Sequence, residues 1–465
     1  MTAPARSAAW RALRRVHETG TDLPIALARE RDGLADARDR ALTTEITLGV
    51  LRWQAALDYL ITRAAKRPLD AIDTASLDVL RLGAYQLLHL TRVPAAVVVD
   101  EAVDLVKRAH HPRAAGFINA TLRQIAVTRG AGLPPAPPLR PPSASGAARR
   151  WRQRALEHLA VTLSHPAWLM ERWLDRYGFQ AAAEIASFNN RSAPLTLRAN
   201  PLRTTPATLA RALEAHGVAT QPGRYAPEAL IVTAGHPLGT PPLEEGACSV
   251  QDEASQAVGV LAAAATCAGE RAPVLDACAS PGGKTLALAA ALEPGSLIVA
   301  ADTRRARVQL LRNTLARAGT KWVQVVQIDL TRGLPFRELF QGVLLDVPCS
   351  GLGTIRRDPD IRWKRTPDDL IRFAAAQRVM LREAARVVAP GGRLVYATCS
   401  SEPEENQDLV ARFLAEHESF ALIGANSLPV PDSMRTLIDA EGFFHTLPHV
   451  HGLEAFFAAV MRRAI

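Results

Sequence analysis

From residue 273 onward, short β-type runs alternate with helical stretches, and each run ends in an acid or leads to a cysteine. The runs are 273–277 (Pro-Val-Leu-Asp-Ala), 297–302 (Leu-Ile-Val-Ala-Ala-Asp), 323–329 (Val-Gln-Val-Val-Gln-Ile-Asp), 342–346 (Gly-Val-Leu-Leu-Asp) and 393–398 (Arg-Leu-Val-Tyr-Ala-Thr). Helices are predicted to start near Thr285, Thr303 and Pro367. This alternation builds a doubly wound α/β sheet, in which ligands bind beyond the carboxyl ends of the strands. Asp276, Asp302, Asp329, Asp346 and Cys399 are therefore expected along one crevice. A single strand-end Asp is often only a helix cap; several in register point to a ligand. Asp302, closing the second run, suits ribose hydroxyls.

The first run is followed by Ala277-Cys278-Ala279-Ser280-Pro281-Gly282-Gly283-Lys284-Thr285. A Walker loop needs glycine where Cys278 stands, and a dinucleotide fingerprint needs Gly-x-Gly-x-x-Gly where only Gly282-Gly283 is present. A tight glycine turn without phosphate-cradling spacing suits a nucleoside bearing no phosphates, and S-adenosylmethionine is such a ligand.

Two cysteines stand at strand-to-loop junctions: Cys349 in Asp346-Val-Pro-Cys-Ser-Gly351 and Cys399 in Ala397-Thr-Cys-Ser400. A lone buried cysteine is usually a small hydrophobe, and Cys248, Cys267 and Cys278 are read that way. Two loop cysteines beside a cofactor turn suggest covalent chemistry. Carbon 5 of a pyrimidine is a poor nucleophile. A thiolate adding to carbon 6 makes carbon 5 enamine-like and able to accept a methyl group. An acid must manage the proton at the ring nitrogen, and Asp346 is placed for that. A base must then take the carbon 5 proton, and the second cysteine is one candidate.

At 465 residues the chain is expected to hold two or three domains. Hydrophobic content of 48% with 22% charged residues is a globular composition. A net charge of +9 favours a polyanionic partner such as nucleic acid, against the plainer reading of a basic solvated surface. Five cysteines, an odd number, do not suggest a disulfide framework, and a reducing compartment is expected. No Cys/His spacing suggests zinc, so no metal is expected, and the pair His110-His111 reads as surface. Arg6, Arg11, Arg14 and Arg15 interrupt any signal-peptide core. The apolar stretch 257–267 is too short to span a membrane and reads as a buried helix. A cytoplasmic, soluble monomer without a membrane partner is expected.

Residues 1–128 read as an all-α bundle. Leu80, Ala84, Leu87 and Leu88 recur at helical spacing, as do Val98, Ala102, Leu105 and Val106. Residues 129–150, with six prolines, read as a linker. Residues 151–240 read as a small α+β module: helix to about 188, strand 194–200, helix 206–216, strand 229–232. Residues 241–465 form the catalytic domain, opened by a helix whose first turn carries Asp252 and Glu253. The stretch 356–365 holds five basic residues, two acids and Trp363. Arg356, Arg357, Arg362 and Trp363 suit phosphates and a stacked base, or else an exposed amphipathic loop.

Asp276–Thr285, Asp346–Gly351 and Ala397–Ser400, in this order, resemble the motifs of the RNA cytosine-5 methyltransferase family (Nol/Nop/Sun type). Gln251-Asp252-Glu253-Ala254-Ser255 is similar to the family's segment before the cofactor fold, and the resemblance covers residues 160–465. Asp39-Arg40-Ala41, Gly49–Trp53, Leu80–Gln86 and Gly116–Ala120 resemble a NusB-like helical domain. That domain joined to this core is similar to the branch acting on 16S ribosomal RNA. The resemblance implies a Rossmann-like, S-adenosylmethionine-dependent methyltransferase domain and an RNA-binding N-terminal domain. It implies that Cys278, Ala279, Ser280, Pro281, Gly282, Gly283 and Lys284 wrap the cofactor, with Asp302 on the ribose and Asp329 near the adenine. It places Asp346 at the methyl-transfer centre, Cys399 as nucleophile and Cys349 in product release. Near the C-terminus the family often has Asp-Gly before Phe-Phe, where this chain has Glu454-Ala455.

Other readings stay open from the sequence. The same chemistry could serve transfer RNA or another ribosomal site. A DNA cytosine-5 enzyme would use Cys349 as nucleophile, which Thr398-Cys399-Ser400 and the helical domain argue against. A non-catalytic RNA-binding assembly or antitermination factor would leave the acids and cysteines without a role.

Overall fold

The computed structural model describes residues 4–109, 111–266, 272–293, 295–337, 340–424 and 427–465. Cys267 and His110 lie outside the described residues. The chain divides into two compact units, residues 1–192 with 355–365, and residues 193–354 with 366–465.

The first unit is helical. Its helices are α1 (Pro4–Thr19), α2 (Leu23–Asp32), α3 (Ala37–Ala65), α4 (Thr74–His89), α5 (Ala95–Arg108), α6 (Ala115–Thr128), α7 (Ser145–Glu157) and α8 (Ala167–Asn189). Small and branched residues at helical spacing close a shared core that includes Ala9, Leu13, Ile46, Val50, Leu80, Ala84, Val99, Ala102, Val106 and Leu122. Asp73 starts α4 by accepting from the Ser76 N–H at 2.9 Å, and Pro94 precedes α5.

The second helical stretch begins earlier than the sequence suggests, at Ser145, because the proline-rich segment ends in small residues and arginines that a helix accepts. The prolines before it still lend carbonyls. Trp151 Nε1 donates to Pro138 O at 2.7 Å, and Thr162 Oγ1 donates to Pro134 O at 2.6 Å. By contacts within the chain, helices α7 and α8 group with the first unit. Ala55 N–H donates to Ser164 Oγ at 2.9 Å in the turn between them.

The segment 355–365, read above as an RNA-contacting loop, also belongs to this unit. Arg362 is fully buried. Its guanidinium donates to Ser164 O (2.9 Å), Asn190 Oδ1 (2.8 Å) and Asn189 O (3.2 Å). Trp363 packs against the helical core and donates from Nε1 to Leu51 O at 2.7 Å. Arg356 stacks on Phe188, 4.3 Å from the ring centroid, and donates to Ser192 O. Arg357 is half-buried. The full burial of Arg362 contradicts the expectation that it contacts RNA, while Trp363 is half-buried. Charge and aromaticity suggested a nucleic-acid surface, but protein acceptors already take the terminal N–H groups of the guanidinium and the indole N–H.

The second unit carries two sheets. The smaller is antiparallel, in the order β2 (Ala219–Pro222), β3 (Ala229–Ala234), β1 (Thr196–Ala199), β4 (Cys248–Val250). Helix α9 (Pro206–Glu214) covers it through Leu209 and Leu213, which pack with Leu197, Ala199 and Leu230. The larger sheet runs β10 (Phe420–Leu422), β12 (Phe456–Arg463), β9 (Val388–Thr398), β8 (Phe340–Asp346), β5 (Val274–Asp276), β6 (Ile298–Asp302), β7 (Gln324–Gln327), with β11 (Phe444–Thr446) paired to β12. Strands β7, β6, β5, β8 and β9 are parallel, β12 runs antiparallel to β9, and β10 pairs antiparallel to β12. The expected α/β sheet is therefore mixed.

Strand residues alternate between two cores. Val274, Ile298, Ala300, Leu344, Val395 and Val460 join the helices Glu253–Thr266 and Gly283–Ala291 on one face. Leu275, Val299, Val343, Leu345, Leu394 and Met461 join the helices Pro367–Arg386 and Gln407–Glu416 on the other. The chain leaves β5 toward β6 and β7, then returns to β8 on the opposite side. The crevice between the carboxyl ends of β5 and β8 is the topological switch point. No described helix is long and apolar enough to cross a membrane.

The Arg362 cluster generates a test. Arg362→Ala leaves buried carbonyls without donors and should destabilise the protein by about 3 kcal/mol, read as a clear fall in thermal midpoint. A variant with weaker RNA binding but unchanged melting would refute this structural assignment.

Candidate active site

The site is built where parallel strands end level with one another. Asp276 pairs with Leu344 and Ala300, and Asp346 pairs with Ala397. The residues just beyond β5, β6, β8 and β9 therefore share one rim. Asp302, Asp329, Asp346, Cys349, Cys399 and Lys284 line a single cavity of about 420 Å³, together with Cys278 and Ser280. Asp276, Ala279, Pro281 and Gly283 line a second cavity of about 320 Å³, which shares Cys278, Ser280, Lys284 and Asp346 with the first. Cys278, read from sequence as a small hydrophobe, thus faces both cavities. Burial by its surroundings and the nearby carboxylates push its thiol well up.

The glycine turn follows from local sterics. Gly282 sits at φ 110°, a conformation that favours glycine, immediately before the helix Gly283–Ala291. Arg198, buried on β1, donates from Nη1 to Gly283 O at 2.5 Å and ties the small sheet to this turn. The Gln251 side chain packs where a Gly283 Cβ would stand, at 2.9 Å.

The acids differ in their surroundings. Asp302 accepts from Thr303 N (2.8 Å), Ser280 N (3.2 Å) and Arg307 Nε (3.2 Å). Asp329 accepts from the N–H and hydroxyl of Thr331, which hold its carboxyl below the usual range. Asp346 is ion-paired with Lys284 at 2.7 Å, and Lys284 also donates to Ser255 Oγ at 3.1 Å and lies 5.6 Å from the Phe456 ring centroid. Burial alone would lower the Lys284 ammonium, but Asp346, Cys399 and Asp276 outweigh it and hold it above its ordinary value. Asp276 accepts from Thr285 Oγ1 at 2.6 Å through one oxygen, while its buried Oδ1 has no hydrogen-bond partner. Burial raises its carboxyl to about 7.

The two thiols meet. Cys349 Sγ and Cys399 Sγ are 3.0 Å apart. The Cys349 thiol is pushed well above its ordinary value, first by its hydrogen bond to Cys399, then by burial, then by the charges of Cys399 and Glu405. Gly353 fixes the Cys399 loop, since its N–H donates to Cys399 O at 3.0 Å and its carbonyl accepts from Ala455 N at 3.0 Å. A Cβ at Gly353 would stand 1.9 Å from Ala455 O. The Glu454-Ala455 step that departs from the family pattern is thus seated directly against the cysteine loops.

Sequence reasoning missed Ser255, Arg307 and Phe456 on the cavity wall, and Glu405 behind the cysteines. The signal for Glu405 was a run of acids two residues after Cys399-Ser400, which also reads as a helix start. Among the described residues no group of three or more His, Cys, Asp or Glu is gathered to hold a metal ion.

A mixed sheet of this order, with a glycine turn, strand-end acids and paired thiols on one cavity, defines an α/β methyltransferase joined to a helical domain. The family model for the 16S rRNA methyltransferase RsmB/F matches residues 265–462. The NusB family model matches 3–127, and the RsmF/B-like ferredoxin-like domain matches 165–238. The Vibrio cholerae ribosomal RNA small subunit methyltransferase B is 34% identical, covering 98% of this chain and 97% of that protein. The Citrobacter koseri protein of the same name is 32% identical over 95% and 97%. The crystal structure of PH0851 superposes with TM-score 0.78 at 25% identity, covering 100% and 99% of the two chains. A methyltransferase homolog protein from Pyrococcus horikoshii gives 0.54 at 26% identity, covering 66% of this chain and 99% of that one. The chain belongs to the RsmB/F family of 16S rRNA methyltransferases.

Asp276 supplies a test with a defined sign. Its folded value of about 7 lies above its ordinary 3.8. The folded protein therefore keeps this proton over a range where the unfolded chain has lost it. Stability from this group is complete below about pH 4 and drains as pH rises to about 7, by up to roughly 4 kcal/mol. Asp276→Asn should flatten that decline in thermal midpoints across the range. Parallel wild-type and variant curves would contradict the assignment.

Proposed function

We propose that this protein transfers a methyl group from S-adenosylmethionine to carbon 5 of a cytosine in 16S ribosomal RNA, through a covalent adduct between Cys399 and carbon 6. The observation that carries the reading is the 3.0 Å approach of two thiols in a cavity that also holds Asp346, Lys284 and the strand-end acids. The names of the relatives support ribosomal RNA as the substrate class, and the net charge of +9 suits a phosphate backbone.

The residues fit the cofactor. The unpartnered, buried Oδ1 of Asp276 faces the need of a cationic amino group. Cys278 to Lys284 would wrap the methionine end, Asp302 the ribose and Asp329 the adenine. S-adenosylmethionine supplies the electrophilic methyl group when bound.

The chain's own groups account for the remaining steps. The target cytosine leaves its stack, at a cost of a few kcal/mol. Asp346 and Lys284 hold its polar edge. Cys399 adds to carbon 6 and the displaced electron pair makes carbon 5 nucleophilic. Before attack, Cys399 is the main reason that Cys349 keeps its proton. Once Cys399 is bonded to carbon, that acceptor and that neighbouring charge are gone. Cys349 then gives its proton to solvent more readily and takes the proton from carbon 5, and the carbon–sulfur bond breaks to return the Cys399 thiolate. The helical N-terminal domain contributes RNA affinity, and a substrate of this kind sets the protein in the cytoplasm.

Cys399→Ala should abolish methylation of 16S RNA without forming an adduct. Cys349→Ala should accumulate a protein–RNA band stable to denaturant, because release is blocked. Equal, adduct-free loss in both variants would remove the division of labour. Bisulfite mapping of RNA from cells lacking the protein, with 16S cytosines unchanged, would remove the substrate.

A further inference from the structure

Behind the two thiols lies an arrangement that the reaction as described does not use. Each cysteine is followed by a serine, Ser350 and Ser400, and both are buried. Their hydroxyl oxygens are 3.2 Å apart. Both hydroxyls donate to the same oxygen of Glu405, Ser350 Oγ at 2.5 Å and Ser400 Oγ at 2.5 Å. The other oxygen accepts from Ser350 N at 2.8 Å and Gln377 Nε2 at 2.9 Å. Glu405 is fully buried, and every one of these donors is neutral. Among the described residues it has no ion-pair partner.

The backbone around Glu405 is held as firmly. Tyr396 on β9 donates its hydroxyl to Glu405 O at 2.6 Å. The next residue, Asn406, donates to Ser400 O at 2.9 Å and accepts from Thr398 Oγ1 at 2.5 Å. One carboxylate thus joins a loop after β8 to a loop after β9. These loops are far apart in sequence, and the carboxylate adds a side-chain link to the backbone hydrogen bond from Gly353 N–H to Cys399 O that also crosses between them.

We propose that Glu405 is the positioning residue that clasps the two cysteine loops together and biases which of the two sulfurs carries the proton. Buried without a cation, its field reaches further than a surface charge would. Placed behind Cys349, it opposes a second negative sulfur, in the same direction as the upward push on the Cys349 thiol. The other titratable groups facing the pair are Cys399 itself, Tyr396 behind it, and Lys284 and Asp346 across the cavity. Glu405 touches neither reacting atoms nor cofactor, and its effect passes through Ser350 and Ser400.

The idea rests on the reading that Cys349 and Cys399 have different tasks, but its test needs no RNA, cofactor or turnover. In the full-length protein, alkylation of each cysteine by iodoacetamide is followed against pH by peptide mass spectrometry. Glu405→Gln should raise the Cys349 rate near neutral pH about tenfold, the change given by one unit of thiol ionisation. Glu405→Asp, which keeps the charge, should restore the wild-type pH profile. An unchanged Cys349 profile in Glu405→Gln would overturn the electrostatic part. The paired substitutions Ser350→Ala and Ser400→Ala keep the charge and remove the clasp, which also covers the case in which Glu405→Gln does not fold. They should slow diamide-driven cross-linking of Cys349 to Cys399 about tenfold relative to wild type; an equal rate would overturn the positioning part. If the alkylation and cross-linking results hold while Cys349→Ala fails to trap RNA, the clasp stands and the catalytic reading falls.

Discussion

The hydrogen-bonded register of β8 between β5 and β9 is the constraint on which the site depends. Asp276, Asp346 and Thr398 end three neighbouring parallel strands, with Asp346 level with Ala397. Only because these ends are level can a loop leaving β8 and a loop leaving β9 set two sulfur atoms 3.0 Å apart. A slip of one residue in either pairing would turn alternate side chains to the opposite face of the sheet. The apolar alternation that fills both cores resists such a slip. Leu344 and Val395 are fully buried on one face, Leu345 and Leu394 on the other. Packing energy far from the chemistry thus fixes the geometry of the chemistry.

The electrostatic design is one of buried acids with few cations. Lys284 is paired to Asp346, and Arg307 approaches Asp302. Asp276 and Glu405 have neutral donors instead. Cations at all of these positions would neutralise the cavity before any ligand arrived. Leaving one buried oxygen of Asp276 without a partner costs stability, and such a cost is common where a binding site is preformed. The Cys349 thiol is held up first by its hydrogen bond to Cys399 and only then by burial.

Much of this was legible in the sequence, and the reasons are physical. Parallel strands buried on both faces read as continuous apolar runs, so the segments ending at Asp276, Asp302, Asp346 and Thr398 stood out. Their ends carried the acids and cysteines that one cavity gathers. The antiparallel strand Phe456–Arg463 was not foreseen, since nothing local distinguishes a strand inserted between β9 and β10 from any apolar C-terminal run. Glu405 was invisible for a different reason: its partners, Ser350 and Gln377, come from other elements, and a buried carboxylate looks in sequence like a solvated one. Arg362 misled in the opposite direction. A guanidinium and an indole are equally suited to phosphates and bases or to backbone carbonyls, and composition alone does not choose between them.

The membership of residues 355–365 in the helical unit has a consequence for how this chain can be divided. The segment lies in sequence between Thr354, on the cavity wall, and the helix Pro367–Arg386 that covers the sheet. A fragment beginning at residue 193 would retain Arg362 while losing Ser164, Asn189 and Asn190, the groups that accept its protons. An arginine and a tryptophan placed for burial would then have to find water or new neighbours. The methyltransferase half of the sequence is therefore not a separable module in the ordinary sense: its own primary structure contains a piece of the other domain's interior.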